Sequence, residues 1–249
     1  MNRKIYLPRG KTLGGSSSTN AMAYVRGNAA DYDSWAELGN SGWSFKELLP
    51  FFKRSENHAQ IDEMDQGYHG SSGELNVTIP TKFQSAYVNS FISACAANGI
   101  PKNPDYNGVS QHGSNLVQST IKNGKRDSGA TAFLKPILNR KNLTAISFAQ
   151  VEKIIFEDKK AIGVKYRKGN KVIKVNTKKE IILSAGAFQS PQLLMLSGIG
   201  EPLELNKHGI KTIYELKGVG KNLQDHLFFP VCAQSKTQDG INHYIPRLK

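Results

Sequence analysis

Hydrophobic residues follow a helical period in several parts of the first half of the chain. The apolar residues of 44–55 fall on one helical face, and Ser44 with Glu47 three residues later makes a capping box. Further helices are predicted over residues 31–38, 85–98 and 131–139, the last despite Pro136, and a short strand over residues 74–79. A helical block therefore precedes the part of the chain where strands dominate.

Residues 149–184 alternate apolar and basic side chains, which is typical of a sheet with one solvated face. Turns at residues 158–160 and 168–170 divide this region into three strands of a β-meander. We place the third strand at residues 180–184, whose unbroken apolar centre predicts cover on both faces. Helices and mainly antiparallel strands in separate blocks predict an α+β fold.

Composition excludes several classes of protein. With 249 residues, 39% hydrophobic and 21% charged, the chain matches a globular protein rather than a disordered one. The richest apolar run is Leu193 to Leu196, far shorter than the ~20 residues that a membrane-spanning helix needs. Because no secretory signal opens the sequence and there are two cysteines, we predict a cytoplasmic protein, with peripheral membrane association left open.

The charge is strongly positive, with 33 Lys and Arg against 20 Asp and Glu. A dense part of the excess lies in residues 151–180, interleaved with the apolar positions of the predicted sheet. A solvated sheet face explains this pattern, and the few aromatic residues there argue against a nucleic-acid partner. The alternative is a non-catalytic binding or subunit module that uses this basic sheet surface.

Common catalytic motifs are absent from the sequence. Gly10-Lys11-Thr12 is not a P-loop because Ile5 stands where the first glycine should be, and no G-x-S-x-G occurs. The six histidines show no metal-binding spacing, so no metal is predicted. Two glycine pairs, at 198 and 200 and at 218 and 220, lack the third glycine of a dinucleotide fingerprint and are predicted to be turns.

Three stretches carry the functional interpretation: PRGKTLGGSSSTNAMAYVRG at residues 8–27, SAGAFQSPQLLMLSGIG at residues 184–200 and GVGKNLQDH at residues 218–226. In the first, tandem glycines let the main chain approach a ligand, and amides with serine hydroxyls can hold a phosphate. In the second, we expect a helix with Ser190 as N-cap, Pro191 at its first position and Gly198 after its end.

Together these stretches resemble the glucose–methanol–choline (GMC) oxidoreductase family, in particular its choline dehydrogenase-like branch. Trp43-Ser44 and residues 126–128 match in the same order. The resemblance implies a flavoprotein with FAD as cofactor, which oxidises the CH–OH group of a small-molecule alcohol. It also implies a partial GMC fold: an FAD-contacting segment and a β-meander of the FAD-binding domain, with part of the substrate-binding domain. The domain boundaries expected from it are 1–75 (FAD-contacting segment), 76–135 (part of the substrate-binding domain), 136–225 (FAD-binding domain with the meander) and 226–249 (a second substrate-domain segment).

The resemblance also implies which residues contact FAD. They are Arg9, Gly14, Gly15, Ser16, Asn20, Ala21, Met22, Ala23, Val151, Ala185 and Gly186. Asn20 and the residues after it would touch the reactive edge of the flavin, although capping a helix is an alternative role for Asn20. Members that attach FAD covalently use a histidine where this chain has Thr19, so non-covalent FAD is predicted. His226 is expected to be a buried, hydrogen-bonded residue, and no catalytic residue is assigned.

Two parts of the family pattern have no counterpart in this sequence. They are the N-terminal GxGxxG unit and the C-terminal segment with the catalytic histidine. We therefore expect an internal fragment that neither holds FAD tightly nor oxidises alcohol by itself. Exposed core surface is expected to cause aggregation or dependence on a complementing chain or a homo-oligomer.

Overall fold

The computed structural model describes residues 4–81 and 85–227. They fall into two compact units, the first reaching Thr144 and the second beginning at Ala145. Each unit contains helices and strands, which confirms the α+β prediction. Among the described residues, no helix is both long enough and apolar enough to cross a bilayer.

Three α-helices form in the first unit: α1 (Ala29–Glu37), α2 (Phe45–Ser55) and α3 (Ala86–Ala97). All three confirm the sequence prediction because each begins at a capping residue. Asn28 accepts a bond from the Ala30 amide, and the Ser85 hydroxyl accepts one from the Tyr87 amide, at 3.0 and 3.1 Å. The backbone amide and hydroxyl of Ser44 both donate to Glu47 at the start of α2.

Short strands and turns connect these helices. Strand β1 (Glu56–His58) pairs in parallel with β2 (Leu75–Val77), which confirms the centre of the strand predicted at residues 74–79. Strands β3 (Ile121–Lys122) and β4 (Lys125–Arg126) form an antiparallel hairpin. Turns of 3₁₀ helix occupy Gly15–Ser18 and Ile61–Glu63.

The α-helix predicted over residues 131–139 is wrong. Residues Ala130–Leu134 form a π-helical turn, in which the amide of Lys135 donates to the carbonyl of Ala130, and a 3₁₀ turn follows over Lys135–Ile137. Pro136 has no amide hydrogen and therefore cannot continue an α-helical ladder. The wider turn before it satisfies the backbone in another way.

The second unit is built on the predicted meander. Strands β5 (Gln150–Glu157), β6 (Lys160–Lys168) and β7 (Lys171–Asn176) pair antiparallel in that order. The third strand is therefore β7, and the assignment of residues 180–184 to it is wrong. Among the described residues, no strand pairs with residues 180–184, and Ile182 is 80% exposed. A buried strand needs a neighbour that takes up its backbone hydrogen bonds, and this segment has none there.

After the meander come α4 (Gln189–Leu196), β8 (Ile199–Gly200), α5 (Pro202–Lys207) and β9 (Tyr214–Glu215), with β8 and β9 paired in parallel. Ser190 lies inside α4, whose N-cap is Phe188, and its hydroxyl accepts a bond from the Ala185 amide at 3.1 Å. Gly198 follows the helix with a φ of 90°, as predicted for its C-terminal end. The glycines at 198, 200 and 220 lie in turns or short strand ends, as predicted.

Ser197 fastens α4 to the sheet. Its buried hydroxyl donates to the Leu193 carbonyl at 2.6 Å and accepts from the Ile154 amide of β5 at 2.8 Å. Leu193 and Ile154 are themselves buried, so these bonds lie in the core of the second unit.

We expect Ser197→Ala to lower the free energy of unfolding by about 1–3 kcal/mol, because it leaves the Ile154 amide buried without its partner. Urea denaturation followed by circular dichroism measures this loss. Ser147→Ala is the control, since Ser147 is exposed and in the same unit. Equal losses for the two variants would show that the hydroxyl of Ser197 does not stabilise the unit.

Many large apolar side chains of the described residues remain exposed. Those at least four-fifths exposed are Tyr6, Leu38, Val109, Phe148, Ile182 and Leu227. Such surface favours association with other apolar surface. The expected aggregation or complementing chain stays a prediction.

Candidate functional site

The glycine–serine loop of the first unit folds back on itself. A Cβ atom on Gly10 would lie 2.2 Å from the Gly15 carbonyl oxygen, so no larger residue fits there. The Gly10 amide donates to the Ser16 hydroxyl at 3.2 Å. These contacts hold Gly10 against residues 15 and 16 and so close the loop.

Two of the serine hydroxyls bond to carbonyl groups within the loop. The Ser17 hydroxyl donates to the Gly14 carbonyl and the Ser18 hydroxyl to the Leu13 carbonyl, so both protons are used within the loop. The amides of Gly15 and Ser17 also donate to loop carbonyls, at 2.9 and 3.2 Å. These internal bonds hold the loop in its folded shape.

The loop is open on one side, at Gly15. This residue has a φ of 54°, and an added Cβ would meet no atom within 4 Å. Arg9 and Ser16 lie exposed near it in the chain. Main chain that a ligand can approach closely is what a flat, extended cofactor requires, so this side of the loop fits FAD.

Asn20 follows the loop and forms a local turn. Its Oδ1 atom accepts bonds from the Met22 amide at 3.0 Å and from Nη1 of Arg126 at 2.8 Å. Asn20 is exposed and does not begin a helix, so the alternative role as a helix cap is wrong. Met22 has a φ of 65°, a left-handed conformation that non-glycine residues adopt at a cost.

The backbone after Asn20 is fixed by bonds from two other segments. Thr120 donates its amide to the Met22 carbonyl at 2.9 Å. Asn107 donates its Nδ2 to the Tyr24 carbonyl and accepts the Arg26 amide, at 3.0 and 2.8 Å. The predicted contact residues Ala21, Met22 and Ala23 are thus held from both ends.

A buried group of four charged side chains lies behind this backbone, and we call it the charge cluster: Arg26, Glu56, His69 and Asp105. Glu56 accepts bonds from Arg26 Nη2 at 2.7 Å and from His69 Nδ1 at 3.0 Å. Nε2 of His69 lies 3.0 Å from Asp105. The side chains of Glu56 and His69 are fully buried, so two positive and two negative charges balance inside the unit.

Burial and pairing act in opposite directions on His69. Burial lowers the pKa of His69, but hydrogen bonds to Asp105 and Glu56 and their negative charges outweigh it and raise the pKa to about 9. Burial raises the pKa of Asp105, but the bonds and charge of His69 bring it below its ordinary value. His69 is therefore a cation at neutral pH.

His58 lies beside the cluster and brings the arrangement close to that of a metal site. Ligand atoms of Glu56, His58 and His69 fall within 4.8 Å of one another. Both ring nitrogens of His69 already face carboxylates, however, and the Arg26 guanidinium bonds the same carboxylate of Glu56. The hydrogen bonds thus favour an ion-pair network over a metal centre, because a ligand nitrogen needs a free lone pair.

The remaining predicted contact residues belong to the second unit. Val151 lies in β5, and Ala185 and Gly186 precede α4. Gly186 has a φ of 91°, and an added Cβ would meet no atom within 4 Å, so its backbone is also open to a ligand. His226 is exposed, as are all of residues 221–227, which contradicts its predicted burial.

A row of lysines crosses the basic face of the sheet. Lys153, Lys165 and Lys174 are direct neighbours across the three strands. Glu152 pairs with Lys165 at 3.2 Å and with Arg167 at 2.7 Å, which offsets part of the charge. A solvated face accounts for this arrangement.

The comparisons with known proteins agree on one family. The family model described as GMC oxidoreductase matches residues 1–228. An alcohol dehydrogenase [acceptor] of Pseudomonas putida is 44% identical over 98% of this chain and 45% of its own length. An oxygen-dependent choline dehydrogenase of Rhizobium etli (strain CIAT 652) is 46% identical over 92% of this chain and 41% of its own length.

Solved structures give the same result. An FAD-dependent oxidoreductase from Chaetomium thermophilum matches with a TM-score of 0.84 at 35% identity, over 90% of this chain and 40% of that one. A pyridoxine 4-oxidase from Mesorbium loti matches with a TM-score of 0.82 at 34% identity, over 88% and 42%. The chain spans less than half the length of these relatives.

Proposed function

Because the chain belongs to the GMC oxidoreductase family, we propose that it contributes FAD-binding residues to the oxidation of an alcohol, with choline or another primary alcohol as substrate. The matches to an alcohol dehydrogenase and a choline dehydrogenase support this substrate class. When bound, FAD supplies the acceptor for the hydride that leaves the carbon bearing the hydroxyl group. The proposed role of this chain's residues is to bind FAD and to orient it.

The observation that carries the proposal is a free amide group on Asn20 close in the chain to the open backbone of Gly15. The oxygen of Asn20 is occupied by two donors, whereas none of the described residues accepts a bond from its Nδ2. Gly15, five residues earlier, presents open backbone. A free amide donor next to an open loop suits the polar, flat edge of a flavin.

The other FAD contacts that we propose are Arg9, Gly14, Ser16, Ala21, Met22 and Ala23 in the first unit, and Val151, Ala185 and Gly186 in the second. Thr19 stands where family members with covalently bound FAD have a histidine, so we propose non-covalent binding.

The first experiment is a titration of the purified protein with FAD, followed by flavin absorbance and fluorescence, and then the addition of choline or another primary alcohol without oxygen. Weak but saturable perturbation of the flavin bands is expected, because the chain by itself is not expected to hold FAD tightly. Flavin spectra that stay those of free FAD at every protein concentration would contradict the proposal. The expectations that this chain alone neither holds FAD tightly nor bleaches flavin with alcohol stay predictions, and the same titration tests both.

Gly15→Ala tests the open side of the loop directly. The added methyl group enters the space proposed for the cofactor, so we expect FAD to bind at least about fivefold more weakly. Gly169→Ala is a matched control, because Gly169 has a φ of 57° and equally open surroundings but lies in the β6–β7 turn. Both substitutions should cost about 1–2 kcal/mol of stability. Equal FAD affinity of the two variants would show that the cofactor does not approach Gly15.

A further inference from the structure

Arg126 is the residue that connects the hairpin β3–β4 with the glycine–serine loop. Its Nη1 donates to the Asn20 Oδ1 at 2.8 Å and lies 3.2 Å from the Ser17 carbonyl oxygen. Next to it, the Gly129 amide donates to the Ser17 hydroxyl at 2.9 Å. Three hydrogen bonds thus join residues 126–129 to the loop and to Asn20.

The segment that carries Arg126 is itself anchored. Asp127 is buried, its carboxylate accepts the Asn76 amide at 2.9 Å and the Thr131 hydroxyl at 2.8 Å, and its amide donates to the Thr120 carbonyl. Arg126 pairs with Ile121 in the hairpin. The backbone that carries Arg126 is thus fixed, and Nη1 is held at its far end by the bonds to Asn20 and Ser17.

The two donors determine which way the Asn20 carboxamide faces. If the amide were turned over, its NH₂ group would meet the Met22 N–H and the Arg126 guanidinium, and three donors would face one another. The oxygen must therefore lie on the inner side, which leaves both hydrogens of Nδ2 pointing to other partners. The full positive charge on Arg126 also polarises the carboxamide and strengthens the N–H groups as donors.

We propose that Arg126 is a positioning residue, which fixes and polarises the Asn20 carboxamide so that its NH₂ group is presented to the cofactor. This inference rests on the proposed function, since it assumes FAD beside Asn20. Arg126 itself acts through Asn20 and need not touch the cofactor. This gives a role to Arg126 in the segment 126–128, which is part of the family resemblance.

The test combines a cofactor-free and a cofactor-dependent measurement on Arg126→Gln, Arg126→Lys, Asn20→Ala and the double variant Arg126→Gln/Asn20→Ala. Without FAD, the side-chain NH₂ signals of Asn20 in a ¹⁵N–¹H spectrum should shift in Arg126→Gln and shift less in Arg126→Lys. The signal is assigned by its loss in Asn20→Ala. Lys125→Ala, a neighbouring exposed residue of the hairpin, should leave it unchanged.

With FAD, Arg126→Gln and Asn20→Ala should each weaken binding by up to about tenfold, and each should lower the flavin reduction potential. The double variant should resemble Asn20→Ala alone, because Arg126 acts through Asn20. Additive effects, or Asn20 signals that do not move in Arg126→Gln, would overturn the inference. If the wild type binds no FAD, the proposed function fails, while the Asn20 signals still decide whether Arg126 positions that side chain.

Discussion

Replacing Glu56 with alanine is expected to lower the free energy of unfolding by about 3–5 kcal/mol. Glu56 is fully buried and holds Arg26 at 2.7 Å and His69 at 3.0 Å. Its removal leaves both cations inside the first unit without their shared anion, and it also frees the Gly70 amide, which donates to the same carboxylate at 3.0 Å. Urea denaturation followed by far-UV circular dichroism measures the loss.

Glu152→Ala provides a chemically matched control. Glu152 also contacts two cations, Lys165 and Arg167, but these are 39% and 51% exposed. Water screens such pairs, so we expect a loss much smaller than that of Glu56→Ala. Glu56→Gln separates charge from shape, because it keeps the volume of the side chain and removes its charge. If Glu56→Gln and Glu152→Ala were equally mild, the ion pairs of the charge cluster would not stabilise the unit.

The sequence predicts well those features that neighbouring residues determine. Helix α2 begins where Ser44 and Glu47 form their local bonds, and Gly198 ends α4 with its positive φ. The turns of the meander are likewise local, since Asp158 and Gly169 both have positive φ angles between paired strands. Capping and turn chemistry act over a few residues and are therefore readable from the pattern alone.

Features that depend on distant partners escape the pattern. Residues 180–184 have the composition of a buried strand, but strand formation requires a neighbour, and the described residues offer none. The charge cluster draws on Arg26, Glu56, His69 and Asp105, which lie in separate segments and show no shared spacing. His69 lies in a stretch rich in glycine and serine that contains no recognisable site motif.

The candidate site divides in the same way. Its glycines could be found because close backbone approach demands them, and the position of Asn20 followed from the family resemblance. The bonds of Arg126 to Asn20 and Ser17 span more than a hundred residues, so no local rule reveals them. The bonds of the serine hydroxyls escape the sequence for a related reason: it shows the hydroxyl donors but not the loop carbonyls that accept them.

The stability of the protein should fall as the pH rises from about 6.5 to 9, and His69 should be the cause. The pKa of His69 is raised from its ordinary 6.5 to about 9 in the fold. A raised pKa stabilises the folded state fully below pH 6.5, where both states bind the proton. This contribution is lost as the pH passes 9, and the shift corresponds to about 3 kcal/mol.

Free energies of unfolding at pH 6, 7, 8 and 9 test this expectation. Tyr24 and Tyr106 do not contribute in this window, because burial raises the pKa of both above its ordinary value of 10.0. In His69→Gln the protein should be less stable at pH 6 and should lack the decline toward pH 9, since the variant has no imidazolium to lose. His112→Gln, at an exposed position, should keep the decline.

A direct titration of the His69 ring by NMR decides the outcome if His69→Gln does not fold. A midpoint near pH 9 would link the alkaline loss of stability to the ion pairs with Glu56 and Asp105. A midpoint near 6.5, or an unchanged decline in His69→Gln, would show that the carboxylates do not hold the imidazolium. In that case His69 would be a neutral buried histidine, and the balance of two positive and two negative charges behind the Asn20 segment would not exist.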